Sequence, residues 1–467
     1  MLLERIYDDD LAHASYLIGC QADGTALVID GRRDTAVYQQ LAKKHGMKIV
    51  AVTETHIHAD YLSGTRELAA ATGATVHVSG EGGPEWHYNF DAERLFDGGT
   101  ITLGNITVTA IHTPGHTPEH LSFLVTDGAF SDQPGYLFTG DFVFSGDLGR
   151  PDLLDEAAGG TDTRFVGAKQ LFASLRDKFF TLPDYVQVYP AHGAGSACGK
   201  AIGAVPSSTV GYERRYAWWS RYLATNDETG FTTELLQGQP DAHAYFGRMK
   251  RENRDGPSVL GERPPLRELD AADVAAGLAA ERVTFVDTRT SRHVHQGTVA
   301  GSLNIPARAM ASYGAWVVDP EKNRNPLVLL AKDQEQAQDL RDHLARVGIN
   351  NVAGYLTSLV GLPAATPELI HPGDLAARDA VVLDVRNRTE HAAGHIPGSR
   401  QLSGGRLMWH LDELPAGGSI VAYCQTGTRS SVAASALRRA GYDVAELDGS
   451  YTGWLAWQQA REAVSKS

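Results

Sequence analysis

The chain has only three cysteines in 467 residues, Cys20, Cys198 and Cys424. So few thiols, so widely spaced, exclude a disulfide framework and predict a reducing cytoplasm. Long apolar runs are absent as well: no segment reaches the roughly 18 apolar residues of a membrane span. The stretch MLLERIYDDDLAHASYLIG lacks a basic region leading into an apolar one, so no secretory signal is expected. Positive charge is in deficit, with 42 Lys and Arg against 56 Asp and Glu and a net charge of −14. A general nucleic-acid binder needs a basic footprint, and anionic membrane surfaces attract basic segments; neither partner is expected. What remains is 42% hydrophobic and 21% charged, an ordinary globular make-up. The length suits about three domains at ~150 residues each.

Over the first 200 or so residues, short apolar strands alternate with Gly-rich loops. TALVIDG, KIVAVTETH, ATVHVSG, ITVTAIHTPGH, GYLFTGDFVF and VQVYPAHG each read as a strand running into a loop. Polar residues of metal-binding type recur at the ends of these strands, where functional loops sit on a rigid sheet. STVGYERRYAWWSRYLA and DAHAYFGRMKREN then read as helices with an aromatic stripe suited to packing. Residues 253–265 lie in a stretch rich in Gly, Pro and charge and read as a linker. An internal repeat follows. VTFVDTRTSRHVHQGTVAGSLNIP aligns without gaps on VVLDVRNRTEHAAGHIPGS, with Asp287 over Asp384 and Gly301-Ser302 over Gly398-Ser399. Two α/β copies are expected, residues 266–363 and 364–467, each alternating strand and helix as a parallel sheet requires.

Four motifs carry metal-type side chains. HIHAD holds His56, His58 and Asp60; HTPGHTPEH holds His112, His116 and His120; TGDFVF holds Asp141; YPAHG holds His192. One histidine alone is usually structural. Four such motifs, each where a strand gives way to a turn, predict a metal site. In this order they resemble the metallo-β-lactamase superfamily. The resemblance implies an αββα sandwich over about residues 1–200, within a domain that runs to 252. The two-metal hydrolases of that superfamily place a histidine after the HIHAD aspartate, where this chain has Tyr61. A neutral phenol is a poor substitute for imidazole around zinc, so one metal is expected. The remaining set resembles that of the persulfide dioxygenases, and the resemblance implies one Fe(II) per chain on His56, His116 and Asp141. Two imidazoles and a carboxylate on one face leave positions open for substrate and O₂. His58, Asp60, Tyr61 and His192 would then surround the ligands and fix their orientation and charge. A mononuclear zinc hydrolase that also uses His58 is the competing reading. In SGDLGRPDL, Arg150 is a candidate for attracting an anionic thiol carrier, the alternative being a loop arginine paired with Asp147 or Asp152.

The last copy contains VAYCQTGTRSS. A strand delivers Cys424, a short loop leads to Arg429, and a helix follows. Backbone N–H groups of such a loop, with the helix N-terminus behind them, favour a thiolate or an anionic persulfide. This copy resembles the rhodanese sulfurtransferases through Asp384 and Arg386, residues 395–399 and the loop from Cys424 to Arg429, so Cys424 would carry sulfane sulfur. In the first copy Ala331 takes the cysteine position and AKDQEQA has neither the glycine nor the arginine; it reads as an inactive rhodanese. Cys198, in AHGAGSACGK, lies among small residues that would let a substrate approach, a structural role being the alternative. Over its full length the chain resembles three-part fusions of persulfide dioxygenase, inactive rhodanese and rhodanese, and that resemblance gives Cys198 a part in sulfur handling near the metal. It further implies a low-molecular-weight persulfide and O₂ as substrates, sulfite as product and sulfur acceptor, thiosulfate as end product, and sulfide detoxification by a cytoplasmic homo-oligomer. Two rivals stand beside it: a zinc thioester hydrolase of the glyoxalase II kind, and a persulfide carrier whose metal domain does no oxidation.

Overall fold

Alternation along the strands decides the first architecture. Tyr16, Ile18, Leu27 and Ile29 fall on one side of their strands and Leu17, Ala26 and Val28 on the other, the two-residue period of a pleated sheet. Both faces of a sheet so patterned must be covered. In the computed structural model, which describes residues 1–157, 159–415 and 417–465, they are. Strands Leu2–Asp8, His13–Cys20, Thr25–Ile29, Lys48–Thr53, Thr75–Ser79 and Glu93–Leu95 form one six-stranded sheet in chain order. Strands Thr100–Leu103, Ile106–His112, Leu121–Asp127, Tyr136–Gly140, Gln187–Pro190 and Ser208–Thr209 form a second, also in chain order. Between them Tyr16, Ile18 and Leu27 meet Val108, Phe123, Val125 and Phe138. Outside, Tyr38, Ala42 and Leu68 of two helices cover the first sheet. Ala168, Leu171, Phe172 and Leu175 of the helix Thr163–Asp177 cover the second, together with Trp219 and Phe231. The result is an αββα sandwich, and Trp219 of the aromatic stripe is core.

The expected linker behaves differently. The helix Phe246–Asp255 reaches into it, and the residues after it are tied down. Arg66 donates to the carbonyls of Gly256 and Pro257, each at 2.8 Å. Arg33 donates to Ser258 O, and the Glu67 carboxylate accepts from the backbone of Leu260 and Gly261, both at 2.7 Å. Gly, Pro and charge here mark a docked strap, because its backbone groups find partners on the sandwich. The chain divides into two compact units, residues 1–242 with 246–263, and 243–245 with 264–467.

The second unit holds the repeat. One parallel sheet has the order Leu303–Asn304, Thr284–Asp287, Leu327–Leu330, Val352–Leu356. The other has the order Leu369–Ile370, Asp443–Leu447, Ser419–Tyr423, Val381–Asp384, Arg400–Gln401. The copies share a device at the end of their first core strand. Arg289 donates to Asp287 at 3.0 and 2.7 Å, and Arg386 donates to Asp384 at 2.9 and 2.7 Å. The two copies pack on each other through Asn304, whose backbone N–H donates to Ser435 and whose side-chain oxygen accepts from Ser431, both at 2.9 Å. Among the described residues no helix is long and apolar enough to cross a membrane.

Phe123 is fully buried between the sheets, whereas Phe130 is 90% exposed. Phe123→Ala should cost about 3–5 kcal/mol and Phe130→Ala less than about 0.5 kcal/mol, read from urea midpoints of the first unit's transition.

Candidate metal centre and cysteine loop

The centre is built from a buried carboxylate that none of the four motifs contains. Asp30 ends the strand Thr25–Ile29 with φ of 54°, a conformation that Asp tolerates better than most side chains. Its Oδ1 accepts from the Thr55 backbone at 2.7 Å and from His58 Nε2 at 3.1 Å; its Oδ2 accepts from Thr55 Oγ1 at 2.9 Å. Tyr61 Oη donates to the Asp30 carbonyl at 3.1 Å. Glu119 holds the same loop from another side, accepting from Ile57 N at 2.7 Å. Asn253 closes it from a third, donating to the carbonyls of His58 and Tyr61 at 2.8 and 2.7 Å.

On this frame His56, His116 and Asp141 converge, all buried, with their ligand atoms within 4.8 Å of one another. Asp141 Oδ2 stands 3.9 Å from His56 Nε2 and 3.5 Å from His116 Nε2. The other ring nitrogens are engaged. His116 Nδ1 donates to Arg150 O at 3.0 Å. His56 Nδ1 lies 2.9 Å from Thr55 Oγ1, which has given its own proton to Asp30 and so accepts. Both Nε2 lone pairs are left facing the centre, the tautomer that metal-ligating histidines need. Asp141 is aimed by its own backbone, which donates to His120 Nε2 at 3.1 Å. Gly140 precedes it at φ of 52°, and a Cβ there would meet Thr55 Oγ1 at 2.5 Å and His120 Nε2 at 2.7 Å. That is the physical reason for the glycine of TGD.

A cation fits this centre. Both Asp141 oxygens, His192 Nε2 and Asp60 Oδ2 are buried without a hydrogen-bond partner among the described residues, an arrangement that costs about 1–3 kcal/mol per group when nothing satisfies it. Burial drives His56 well below its ordinary range and His116 to about 3, so both imidazoles are neutral donors. Burial raises Asp141 to about 6, with His192 opposing and Asp60 adding to the rise. His58 is the exception. Burial would lower it, but Asp30, then Glu54 and Asp60, outweigh burial and lift it to about 9.

The remaining expected residues fall on a second side. His192 Nδ1 donates to Ala12 O at 3.0 Å, which points Nε2 to Asp60 Oδ2 and Asp141 Oδ1, each 3.4 Å away. Asp60, His192 and Cys198 form a second group whose ligand atoms lie within 4.8 Å of one another. Burial, then the Asp141 and Asp60 carboxylates, push the Cys198 thiol well above its ordinary range. Arg150 is not placed to greet a substrate. It is fully buried and its guanidinium is taken up by Asp152, by Ala197 O at 3.1 Å and by Pro240 O at 2.9 Å. The pairing with Asp152 is the arrangement found. The cations that do line a cavity are Lys250, Arg251 and Arg254, in a space of about 480 Å³ that also touches Ile57, Trp86 and one acid, Glu85. Lys250 Nζ sits 3.8 Å over the Trp86 ring. These residues were accessible to a sequence reading as positions 247, 250, 251 and 254, one face of a helix, but nothing in their local setting marks that face as a cavity wall.

The cysteine loop lies in the second unit. Cys424 is buried, and its sulfur accepts from Gly427 N at 3.1 Å and Ser430 Oγ at 3.6 Å. Gly427, at φ of 109°, opens the helix Thr428–Arg439. Arg429 is not a free cation: it is held by Glu390 in a two-pronged pair at 2.6 and 2.7 Å. In the other copy Ala331 is buried at the matching strand end, and the helix start beyond it is filled from within. Asp333 accepts from Gln336 N at 2.8 Å, and Gln336 accepts from Lys332 N at 2.8 Å.

An αββα sandwich with a histidine–carboxylate centre at its strand ends, joined to a parallel α/β domain with a cysteine loop, defines the class. The chain belongs to the metallo-beta-lactamase superfamily, whose profile matches residues 8–192, and it carries a rhodanese-like domain, matched over residues 371–456. A solved structure titled a metallo-beta-lactamase from Staphylococcus aureus subsp. aureus COL is 36% identical, with a TM-score of 0.65, covering 76% of this chain and 98% of that one. The mitochondrial persulfide dioxygenase ETHE1 of Mus musculus is 30% identical over 41% of this chain and 68% of its own length. A hydroxyacylglutathione hydrolase of Hyphomonas neptunium is 28% identical over 50% of this chain and 81% of its own length.

Asp30→Ala removes the acceptor of two loop hydrogen bonds and of His58. Such supporting partners usually change metal affinity about 10- to 100-fold, and a competition titration against a chelator should show a loss on that scale, with far-ultraviolet circular dichroism unchanged.

Proposed function

We propose that the chain is a non-haem Fe(II) persulfide dioxygenase joined to a sulfurtransferase. One observation carries the reading: His56 Nε2, His116 Nε2 and Asp141 Oδ2 converge, while His58 turns its Nε2 to Asp30 and Tyr61 turns its phenol away. These three residues would hold one Fe(II) per chain, which when bound supplies open positions and electrons for O₂ chemistry. The persulfide takes up O₂ and water and yields thiol and sulfite, with two protons released. Lys250, Arg251, Arg254 and Trp86 give the carrier thiol an amphipathic, cationic berth next to Ile57, between the two HIHAD histidines. The burial of His56, His116 and Asp141 restricts the water that would compete with the persulfide. Cys424 then takes the outer sulfur of a second persulfide, releasing thiol, and gives it to sulfite as thiosulfate. Gly427 N–H and the helix start behind it favour the charged sulfur during that exchange. Sulfide detoxification by a cytoplasmic homo-oligomer is the setting this reading implies.

A second reading has its own support. His58 Nδ1 is buried without a hydrogen bond, and its ring lies 4.2 Å from that of His56. A zinc thioester hydrolase would use that nitrogen as a further ligand. Metal analysis of anaerobically purified protein, with oxygen uptake on glutathione persulfide in the same sample, separates the two. About one iron per chain with O₂ uptake, both lost in His116→Ala, supports the dioxygenase. Zinc near two per chain, with hydrolysis of S-lactoylglutathione and no O₂ uptake, overturns it.

Two variants divide the labour. Cys424→Ser should stop thiosulfate formation and let sulfite accumulate while O₂ is still consumed. Lys250→Gln should raise KM for glutathione persulfide about tenfold or more, the scale of one lost hydrogen bond to a charged group, with kcat little changed. Burial lowers Lys250 to about 7 against the pull of Glu119, so its cation is present below that pH. KM of the unaltered protein should therefore rise as pH increases through about 7, and Lys250→Gln should flatten the rise.

A further inference from the structure

Two cations flank the cysteine loop, and they differ in how they are held. Arg386 is buried and closed, by Asp384 at 2.7 Å and by Gln425 Oε1 at 3.1 Å. Arg429 has a carboxylate too, the Glu390 fork at 2.6 and 2.7 Å. This second pair reaches solvent, with its side chains 22% and 31% exposed. Burial opposes the charge of Arg429, and Glu390, then the Cys424 sulfur, outweigh burial. An anion arriving at Cys424 therefore meets a guanidinium that already has a partner.

Glu390 does not depend on that arginine for its own place. Its Oε2 accepts from Asn387 N at 3.1 Å, half of the capping box that starts the helix Arg388–Ala393. The carboxylate stays bonded when the guanidinium turns away. In the other copy the alignment sets His293 at the place of Glu390 and Gln336 at that of Arg429. Where there is no cysteine there is neither the cation nor its acid.

We propose that Glu390 is a specificity-determining residue for the anion that takes sulfur from Cys424, a counter-ion which that anion must displace from Arg429. The proposal rests on the reading that Cys424 transfers sulfur. Loading forms a bond from Cys424 Sγ to the outer sulfur of the persulfide, breaks the persulfide S–S bond and releases the carrier thiol. In unloading, the electron pair on the sulfur of sulfite attacks that outer sulfur. The bond to Cys424 breaks, the thiolate returns and thiosulfate leaves. Loading needs the Cys424 thiolate, which Gly427 N–H and Ser430 Oγ already meet. Unloading brings a compact dianion to the loop, and sulfite and thiosulfate both compete with Glu390 for Arg429. A bidentate arginine is a strong anion receptor when free; here it is paired. Glu390 thus weakens sulfite binding and speeds thiosulfate release.

The test uses full-length protein treated anaerobically with glutathione persulfide. Intact mass counts the added sulfur, and Cys424→Ser identifies the share on Cys424. The loaded protein is then mixed with sulfite. Single-turnover thiosulfate formation gives the half-saturating sulfite concentration, and sulfate, an unreactive dianion, gives an inhibition constant. Glu390→Gln keeps an acceptor for Asn387 N and removes the charge. It should lower both constants about two- to fivefold, the scale of a partly exposed ion pair, and the difference should fade as salt is raised. Loading by glutathione persulfide should change less than either constant, whereas a merely structural role would slow both steps alike. If Glu390→Gln does not fold, Glu390→Ser removes the same charge with less bulk and must show the same shift. Constants that stay the same, or rise because Arg429 needs its fork to stay in place, overturn the proposal. No added sulfur on Cys424 overturns the sulfurtransferase reading and the proposal with it, and that failure shows in the mass before any sulfite is added.

Discussion

The Asp30 carboxylate is the fixed point of the first unit's chemistry. A buried charge is tolerable only when hydrogen bonds surround it, and here the bonds come from the loop that carries the HIHAD motif. Satisfying Asp30 and shaping the loop are one event. Thr55 passes the constraint to His56, whose tautomer it sets, and His58 is turned aside. Tyr61, bonded to the same residue's carbonyl, is held out of the centre. The departure from the two-metal pattern at position 61 therefore does more than remove a ligand: the phenol becomes part of the scaffold.

The sandwich was legible because strand periodicity writes both faces of a sheet into the chain. Leu17 between Tyr16 and Ile18, or Val28 between Leu27 and Ile29, states which side faces the other sheet. The motifs at strand ends were legible for the same reason, since a strand that ends at His112 or Gly140 leaves its next residues in a loop at the sheet edge. Other features depend on contacts between distant parts of the chain. Asp30 sits in VIDG, which reads as a strand end and no more. Asn253 lies in what composition marks as a linker, and its partners are nearly 200 positions away. Arg150 looked like a loop cation because nothing local reveals that Pro240 and Ala197 would cover it.

Charge is handled differently in the two units. In the first, cations line a partly open cavity beside Ile57, while buried carboxylates gather around the imidazoles of the centre. In the second, Arg429 is paired with Glu390 beside the cysteine loop. Its positive charge is offset before any substrate arrives, and the backbone at Gly427 makes the direct contact with sulfur.

The filled helix start beyond Ala331 decides what the turn before it can hold. In the copy that carries Cys424 the turn between strand and helix is kept clear by Gly427. In its twin, Asp333 and Gln336 close that turn with their own hydrogen bonds, and the negative carboxylate now occupies the place that favours anions. Putting a cysteine back at position 331 would leave the sulfur facing a carboxylate.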